Sequence, residues 1–212
     1  MNVLIVLGGD APGKALLESC VSCADLTIAA DRGLEAFAHA GIMPDILLGD
    51  MDSVSEDVLA RMQGVAEIDR LPCIKDDTDG VHAVDAAIAR GAKHITLLGA
   101  LGGRLDHALA NLMLLVRAAK MGVKAQILSE TVCIERVDGC TVIYGAKGDT
   151  ASLLPLGHAK GVTLKGFFYP LDRHDLDSSY PLGISNVIVQ DEASVSVESG
   201  DLFLFHHYGK IK

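Results

Sequence analysis

No apolar run in this 212-residue chain approaches the roughly 20 residues that a membrane-crossing helix needs. The apolar stretch at the start, Met1 to Leu7, has no basic leader and runs at once into Gly8-Gly9-Asp10. It is therefore expected to be a first core strand rather than a signal peptide, and the chain to remain in the cytoplasm without a membrane partner. Positive charge is scarce as well: 18 Lys and Arg stand against 28 Asp and Glu, a formal net charge of −10. That balance argues against nucleic acid as a partner, because its binders carry basic patches, and it suits a cationic small substrate. The pair Cys20-Val21-Ser22-Cys23 has redox or zinc spacing, but no second pair exists to complete a tetrahedral site. The five cysteines are expected to be reduced thiols, Cys20 and Cys23 serving as small residues at a helix end. No low-complexity linker and no internal repeat interrupts the chain.

What is present is a regular alternation. Over the first 130 residues, continuous β-prone runs at 3–7, 26–30, 46–48, 94–98 and 125–128 alternate with helical patterns at 14–22, 34–40, 56–62, 80–90 and 106–121. This is the pattern of βαβ units around a parallel sheet covered on both faces. In the last helix Leu109, Leu112, Met113 and Val116 share one apolar face at the i, i+3, i+4, i+7 spacing. Gly41, Gly91 and Gly122 each follow a helix, where a left-handed cap is wanted. Beyond residue 130 the runs at 133–135, 141–144, 150–155, 162–165, 187–190, 194–198 and 202–206 are short, β-prone and separated by turns. The expected fold is thus an α/β, Rossmann-like parallel-sheet domain over 1–130, followed by an all-β sandwich domain over 131–212.

Acidic residues gather in three clusters, each expected near the carboxyl edge of that sheet, where open parallel sheets bind ligands. They are Gly49-Asp50-Met51-Asp52-Ser53, Lys75-Asp76-Asp77-Thr78-Asp79 and Gly102-Gly103-Arg104-Leu105-Asp106-His107. Crowded carboxylates are costly unless a cation neutralises them, and Mg²⁺ prefers carboxylate and phosphate oxygens. In extended backbone Asp50 and Asp52 project to the same side and can face one ion; a helix-capping turn is the structural alternative for this cluster. Gly102, Gly103 and Arg104 open the long helix, whose free N–H groups and dipole suit an anion, with Arg104 adding a planar cation. Asp106 is the natural N-cap there. His107 is placed to meet phosphate or adenine, and Asn111, one turn on, to face the same crevice. A cation at Lys75 is within reach of a phosphate.

Some patterns favour blander readings. Gly8-Gly9-Asp10-Ala11-Pro12-Gly13-Lys14 has the glycine and lysine spacing of a phosphate-binding P-loop, but Ala15 replaces the Mg²⁺-binding hydroxyl and Pro12 removes an N–H. A true P-loop is not expected, although Gly8 and Gly9 permit close approach of a ligand. Asp172-Arg173-His174-Asp175-Leu176-Asp177 reads as a solvated loop. Adjacent strand residues such as His206 and His207 point to opposite faces and do not share an ion.

Taken together with Ala30-Asp31-Arg32-Gly33, Pro44-Asp45 and Gly183-Ile184-Ser185-Asn186, the three clusters resemble the thiamine pyrophosphokinase family in order and spacing. The resemblance implies transfer of the diphosphate group of ATP to thiamine, giving thiamine diphosphate and AMP, with Mg²⁺ held by Asp50, Asp52 and Asp79. It adds Asp31, Arg32, Gly33 and Thr78 to Gly8, Gly9, Lys75, Gly102, Gly103, Arg104, His107 and Asn111 around ATP. It places Asp79, Arg104 and Asp106 at the chemistry, with either Asp79 or Asp106 accepting the hydroxyl proton. It also implies Ser185 and Asn186 at thiamine, and a homodimer with shared active sites. This chain departs from the family at Val187, where an acidic residue is common, and in having no Trp, which many members lay over the thiamine rings. Two other classes fit parts of the pattern. Asp50-x-Asp52-x-Val54 matches the nucleophile motif of haloacid-dehalogenase-like phosphatases, and a non-catalytic nucleotide-binding sensor would need no acceptor pocket.

Overall fold

Residues 1–49, 54–62, 67–70 and 78–208 are described here in a computed structural model. The chain is a mixed α/β protein that divides into two compact units, Met1–Glu130 and Thr131–Lys212. In the first, six parallel strands are β1 (Asn2–Val6), β2 (Leu26–Ala30), β3 (Ile46–Gly49), β4 (Glu67–Arg70), β5 (His94–Leu98) and β6 (Lys124–Leu128). Between them run α1 (Lys14–Ser22), α2 (Gly33–Ala40), α3 (Glu56–Met62), α4 (Asp79–Ala89) and α5 (Leu105–Lys120). The spatial order is β4-β3-β2-β1-β5-β6. The chain thus builds outward from β1 to β4, then returns to the other side of β1 for β5. Loops diverge at that reversal and leave a crevice at the strands' carboxyl ends.

Near-continuous apolar strands supply the core. Leu4, Val6, Ala29, Leu47 and Leu98 pack with Leu17, Leu34 and Phe37 of α1 and α2, all buried. Burying a leucine-sized side chain contributes about 1.5–3 kcal/mol. Gly41, Gly91 and Gly122 do end helices with positive φ, at 73°, 90° and 73°.

Three sequence expectations need correction. First, β4 escaped notice because Glu67-Ile68-Asp69-Arg70 is mostly polar. An end strand paired only to β3 needs little apolar signal, since its backbone bonds do the joining. Second, α5 is apolar on more than one side. Leu112 and Val116 are buried with Leu115, but Leu109 is 52% exposed and Met113 also faces outward. Periodicity found apolar stripes, whereas the packing partners, α4 and β6, chose which one to bury. Third, Leu171–Asp177 is a strand (β10) against β9 rather than a loop. Its side chains are solvated as expected, only Leu176 being buried, and two register shifts interrupt the ladder.

The second unit is all β. Its strands are β7 (Val132–Arg136), β8 (Cys140–Tyr144), β9 (Thr150–Lys165), β10, β11 (Asn186–Val187), β12 (Glu192–Ser196) and β13 (Ser199–His207). The expected strands at 150–155 and 162–165 are one 16-residue strand, bent at Gly157 and Gly161 with φ of 76° and 63°. The first half of β9 pairs with β11 and β13, and its second half with β10 and β12. Its core includes Leu153, Val162, Leu164, Ile188, Val195 and Leu202. His206 and His207 lie in β13, and a His206 ring nitrogen is 2.8 Å from the Asp149 carboxylate, so this histidine is engaged within the unit.

Asp45 fastens the base of β2 to that of β3. Its carboxylate accepts the Thr27 N–H at 2.8 Å and the Thr27 hydroxyl at 2.7 Å, while its own N–H donates to that hydroxyl oxygen at 2.9 Å. Thr27 is buried, so losing the acceptor leaves desolvated donors unmatched. Asp45→Ala is expected to destabilise the α/β unit by about 2 kcal/mol, read as a lower urea midpoint, with Asp45→Asn milder.

Candidate active site

A crevice of about 530 Å³ opens at the sheet's carboxyl edge. Its walls come from the loops after β1, β2 and β5 and from the starts of α4 and α5. Of the candidates named from sequence, Gly8, Gly9, Asp31, Arg32, Thr78, Asp79, Gly102, Gly103, Arg104, His107 and Asn111 line it together. Asp50, Asp52 and Lys75 fall outside the described residues, as do Asp76 and Asp77. Gly33 sits beneath the crevice: a methyl group there would fall 1.9 Å from the Val6 carbonyl oxygen. Ser185 and Asn186 belong to the second unit. Ala30, Gly80 and Ala100 also line the crevice; residues without functional side chains carry no chemical signal in sequence.

The loops after β1 and β5 are sewn together by their backbones. Leu7 N–H donates to Leu98 O at 2.8 Å, Gly9 N–H to Gly99 O at 2.8 Å and Asp10 N–H to Leu101 O at 2.7 Å. Gly9 is required for this approach, because a methyl group there would lie 2.3 Å from Leu101 O. Gly9 thus makes room for the neighbouring loop as well as lining the crevice. The same bonds weaken the P-loop resemblance, since the Gly9 and Asp10 N–H groups are spent on the β5 loop. Gly13, at the head of α1, donates its N–H to Glu130 Oε1 at 3.0 Å.

Two helices point their N-termini at the crevice. Thr78 caps α4, its hydroxyl oxygen accepting the Val81 N–H at 3.4 Å, and Asp79 occupies the first turn. α5 begins one residue earlier than expected. Its N-cap position is Arg104, not Asp106, and no side chain caps it. Of its first N–H groups, those of Leu105 and Asp106 stay open to an anion, that of His107 being taken by the Asp106 carboxylate. Asp106 instead holds Arg104 in a fork, Nε to Oδ1 at 3.1 Å and Nη2 to Oδ2 at 2.6 Å, and accepts the His107 N–H at 3.0 Å. The hydrogen bond from Arg104 foremost, then that from His107, holds the Asp106 carboxyl down to about 2. A carboxylate so stabilised is a weak base, which disfavours it as the proton acceptor. Asn111 donates from Nδ2 to Ala100 O at 2.8 Å and so braces α5 against the β5 loop. Asp31 stands in the left-handed region, φ 49°, at the end of β2, strain of the sort held at ligand sites.

Asn186 is engaged within its own unit. It is buried, and its amide is spent inside the second unit: Oδ1 accepts the Tyr169 and Val187 N–H groups at 3.0 and 2.9 Å, and Nδ2 donates to Tyr169 O at 2.7 Å. Ser185 beside it is exposed, with φ 58°. Burial, before any charge effect, pushes the Cys20 thiol up, making it a poor nucleophile.

Fold and crevice together define a mixed α/β protein with an anion-suited site where its parallel strand order reverses. Residues 17–127 match the family model described as thiamin pyrophosphokinase, catalytic domain, and residues 135–202 match thiamin pyrophosphokinase, vitamin B1 binding domain. The chain belongs to the thiamin pyrophosphokinase family. It is similar to thiamine pyrophosphokinase of Bacillus subtilis, 29% identical over 96% of this chain and 97% of that protein. The crystal structure of thiamine pyrophosphokinase from the same organism superposes with a TM-score of 0.86 at 26% identity over 100% of both chains. That of Geobacillus thermodenitrificans gives 0.83 at 28% identity over 98% of this chain and 97% of the other. None of these likenesses supports the phosphatase reading.

The Arg104–Asp106 pair predicts a titration. Because the carboxyl is held low, the pair's contribution is complete above about pH 4, the ordinary carboxylate range, and fades as pH falls toward 2. By NMR, Asp106 should titrate near 2 and move up toward the ordinary value in Arg104→Ala; an unmoved midpoint would contradict the pairing.

Proposed function

We propose that this chain is a Mg²⁺-dependent, cytoplasmic thiamine diphosphokinase that moves the diphosphate group of ATP onto thiamine, leaving AMP. What carries the reading is the coincidence of an anion-suited crevice at the strand reversal with likeness to both family models along the chain. On this reading 1–130 is a Rossmann-like domain for ATP and Mg²⁺, and 131–212 a β-sandwich for thiamine and dimerisation.

Among the described residues no group of three His, Cys, Asp or Glu converges to hold a metal. The half-buried Asp79 carboxylate lines the crevice, and its hard oxygen donors fit Mg²⁺. Asp79 would hold the ion with Asp50 and Asp52, which follow β3 directly. When bound, Mg²⁺ would supply neutralisation of polyphosphate charge.

The residues of the chain divide the remaining work. Open N–H groups of α5 and the Gly102-Gly103 turn receive phosphate oxygens, and Arg104 exchanges its carboxylate partner for the transferring group. The thiamine hydroxyl oxygen attacks the β-phosphorus in line. Its new P–O bond forms as the bond from β-phosphorus to the α,β-bridging oxygen breaks, and AMP departs with that oxygen. The hydroxyl proton passes to Asp79, which lines the crevice whereas Asp106 is not among its lining residues. Arg32, His107 and Asn111 line the nucleotide's side of the crevice. The working species is proposed to be a homodimer with sites shared between subunits.

Incubation with ATP, Mg²⁺ and thiamine should yield AMP and thiamine diphosphate in equal amounts, and AMP formation independent of thiamine would defeat the reading. Asp79→Asn should lower turnover at least about a hundredfold while the fold persists. Arg104→Lys should be nearly as damaging as Arg104→Ala, because a point charge cannot replace the planar fork. Mixing Asp50→Asn chains with Asn186→Ala chains, with subunit exchange verified by pull-down, should restore part of the activity. No rescue would place each site within one chain.

A further inference from the structure

α1 leaves part of its side of the first unit's sheet open. Leu4 of β1 packs with Leu17 of α1 in the core, and the strand register sets Leu4 beside Thr96 of β5 and Thr96 beside Gln126 of β6. Such a row stays on one face of a parallel sheet, opposite the buried Ile95, Leu97 and Ile127. Thr96 and Gln126 are only half-buried, and Gln126 Nε2 donates to Thr96 Oγ1 at 3.1 Å. The open part of this face is a cavity of about 340 Å³ beside the end of α1, with Cys20, Cys23, His94, Thr96 and Gln126 in its walls. Among the described residues it shares none with the crevice that receives the anion.

Two free thiols meet in that cavity. Cys20 lies in the last turn of α1 and Cys23 is its C-cap residue, the Cys23 N–H donating to Cys20 O at 3.2 Å. Cys20 is half-buried and Cys23 exposed. The turn between them has i, i+3 spacing, which sets two side chains on one side of a helix with Cβ atoms roughly 5–6 Å apart. A disulfide needs Cβ atoms roughly 3.5–4.5 Å apart, so helical backbone holds this pair too far apart to oxidise readily. Two metal–thiolate bonds of about 2.3 Å each bridge such a gap without moving the backbone. Tetrahedral Zn²⁺ lacks its ligands here, because among the described residues no group of three His, Cys, Asp or Glu converges. A pair of thiolates alone suits a soft ion of low coordination number.

We propose that Cys20 and Cys23 form a two-thiolate site for a soft monovalent cation of the Cu(I) class, in the cavity beside α1. Each thiol yields its proton to solvent as its sulfur bonds the ion. The burial that pushes the Cys20 thiol up withholds it from nucleophilic chemistry. It does not withhold it from a metal, which deprotonates a coordinating thiol outright. The Glu130 charge, which also acts on Cys20, favours a cation at this position. The site goes beyond the proposed reaction and stands independently of it.

The test titrates the reduced, oxygen-free chain with Cu(I) in the presence of bicinchoninate, a coloured chelator that reports the copper it holds. The native chain should withhold one Cu(I) per chain from the chelator. A variant with Cys73, Cys133 and Cys140 all changed to Ser should withhold the same amount. Cys20→Ser and Cys23→Ser should each weaken binding at least about a hundredfold, since each removes one of two direct ligands. Cys23 is exposed, so Cys23→Ser reads the site with the packing of α1 intact even where Cys20→Ser lowers the urea midpoint. Failure of the native chain to withhold copper overturns the proposal. So does equal uptake by the native chain and the Cys20→Ser/Cys23→Ser double variant, or a loss that follows only one of the two thiols, which would leave an ion on a single cysteine. None of these readings depends on turnover, so failure of the proposed reaction leaves this test intact.

Discussion

The site depends on a single backbone constraint, the stitching of the loop after β1 to the loop after β5. Three N–H groups, of Leu7, Gly9 and Asp10, are committed to carbonyls of the β5 side. Strand pairing brings β1 and β5 side by side, but these further bonds carry the contact past the strand ends, where side chains at Gly9 would forbid it. The two loops thereby form one floor. From it the chain departs in opposite directions, toward α1 and toward α5, and the space between is the crevice. Gly33 contributes to the same economy by letting α2 settle on the Val6 carbonyl. A glycine-rich edge reads in sequence as an invitation to phosphate. Here Gly9, Gly33 and Gly99 allow backbone to meet backbone, and the N–H groups of Leu105 and Asp106 at the head of α5 are the ones suited to an anion.

Electrostatically the crevice is balanced between two partners for one cation. Arg104 is locked by Asp106 in a two-bond fork, and both side chains are largely exposed. An exposed pair of this kind is worth little in stability. Its consequence is for the site, because Asp106 keeps the guanidinium oriented at the helix start and keeps itself a poor base. In the proposed reaction a phosphate would take the place of that carboxylate on a fork already set in place. Asp106 tends a cation, whereas Asp79 remains on the first turn of α4 with its carboxylate toward the crevice.

Strong periodic signals were legible in the chain. α1 and α3, with β2 and β5, lie where the pattern put them, because a parallel strand buried on two faces and an amphipathic helix leave clear local traces. β4 and β10 left none: both are polar strands, joined to a neighbour through backbone groups that every residue possesses. For α5, local pattern supplied two apolar stripes and had no means to rank them; only contact with α4 and β6 did so. The candidate residues of the crevice were legible as chemistry, since Arg, Asp and Gly pairs beside predicted strand ends have few bland explanations.

By itself, then, the sequence determined the alternation of strands and helices, the change to short β segments near residue 130, and the polar cluster around Arg104 at the head of the long helix. Each follows from local composition, spacing and chemical type. Tertiary structure alone decided the work each residue does. Gly9 makes room for the carbonyl of a neighbouring loop, Asp106 binds Arg104 and is not the N-cap of α5, and Asn186 spends its amide on Tyr169 while that ring stays in the open. Those outcomes turn on which hydrogen-bonding groups are consumed by distant neighbours. That competition is settled only when the whole chain has packed, and it leaves no local mark for a sequence to show.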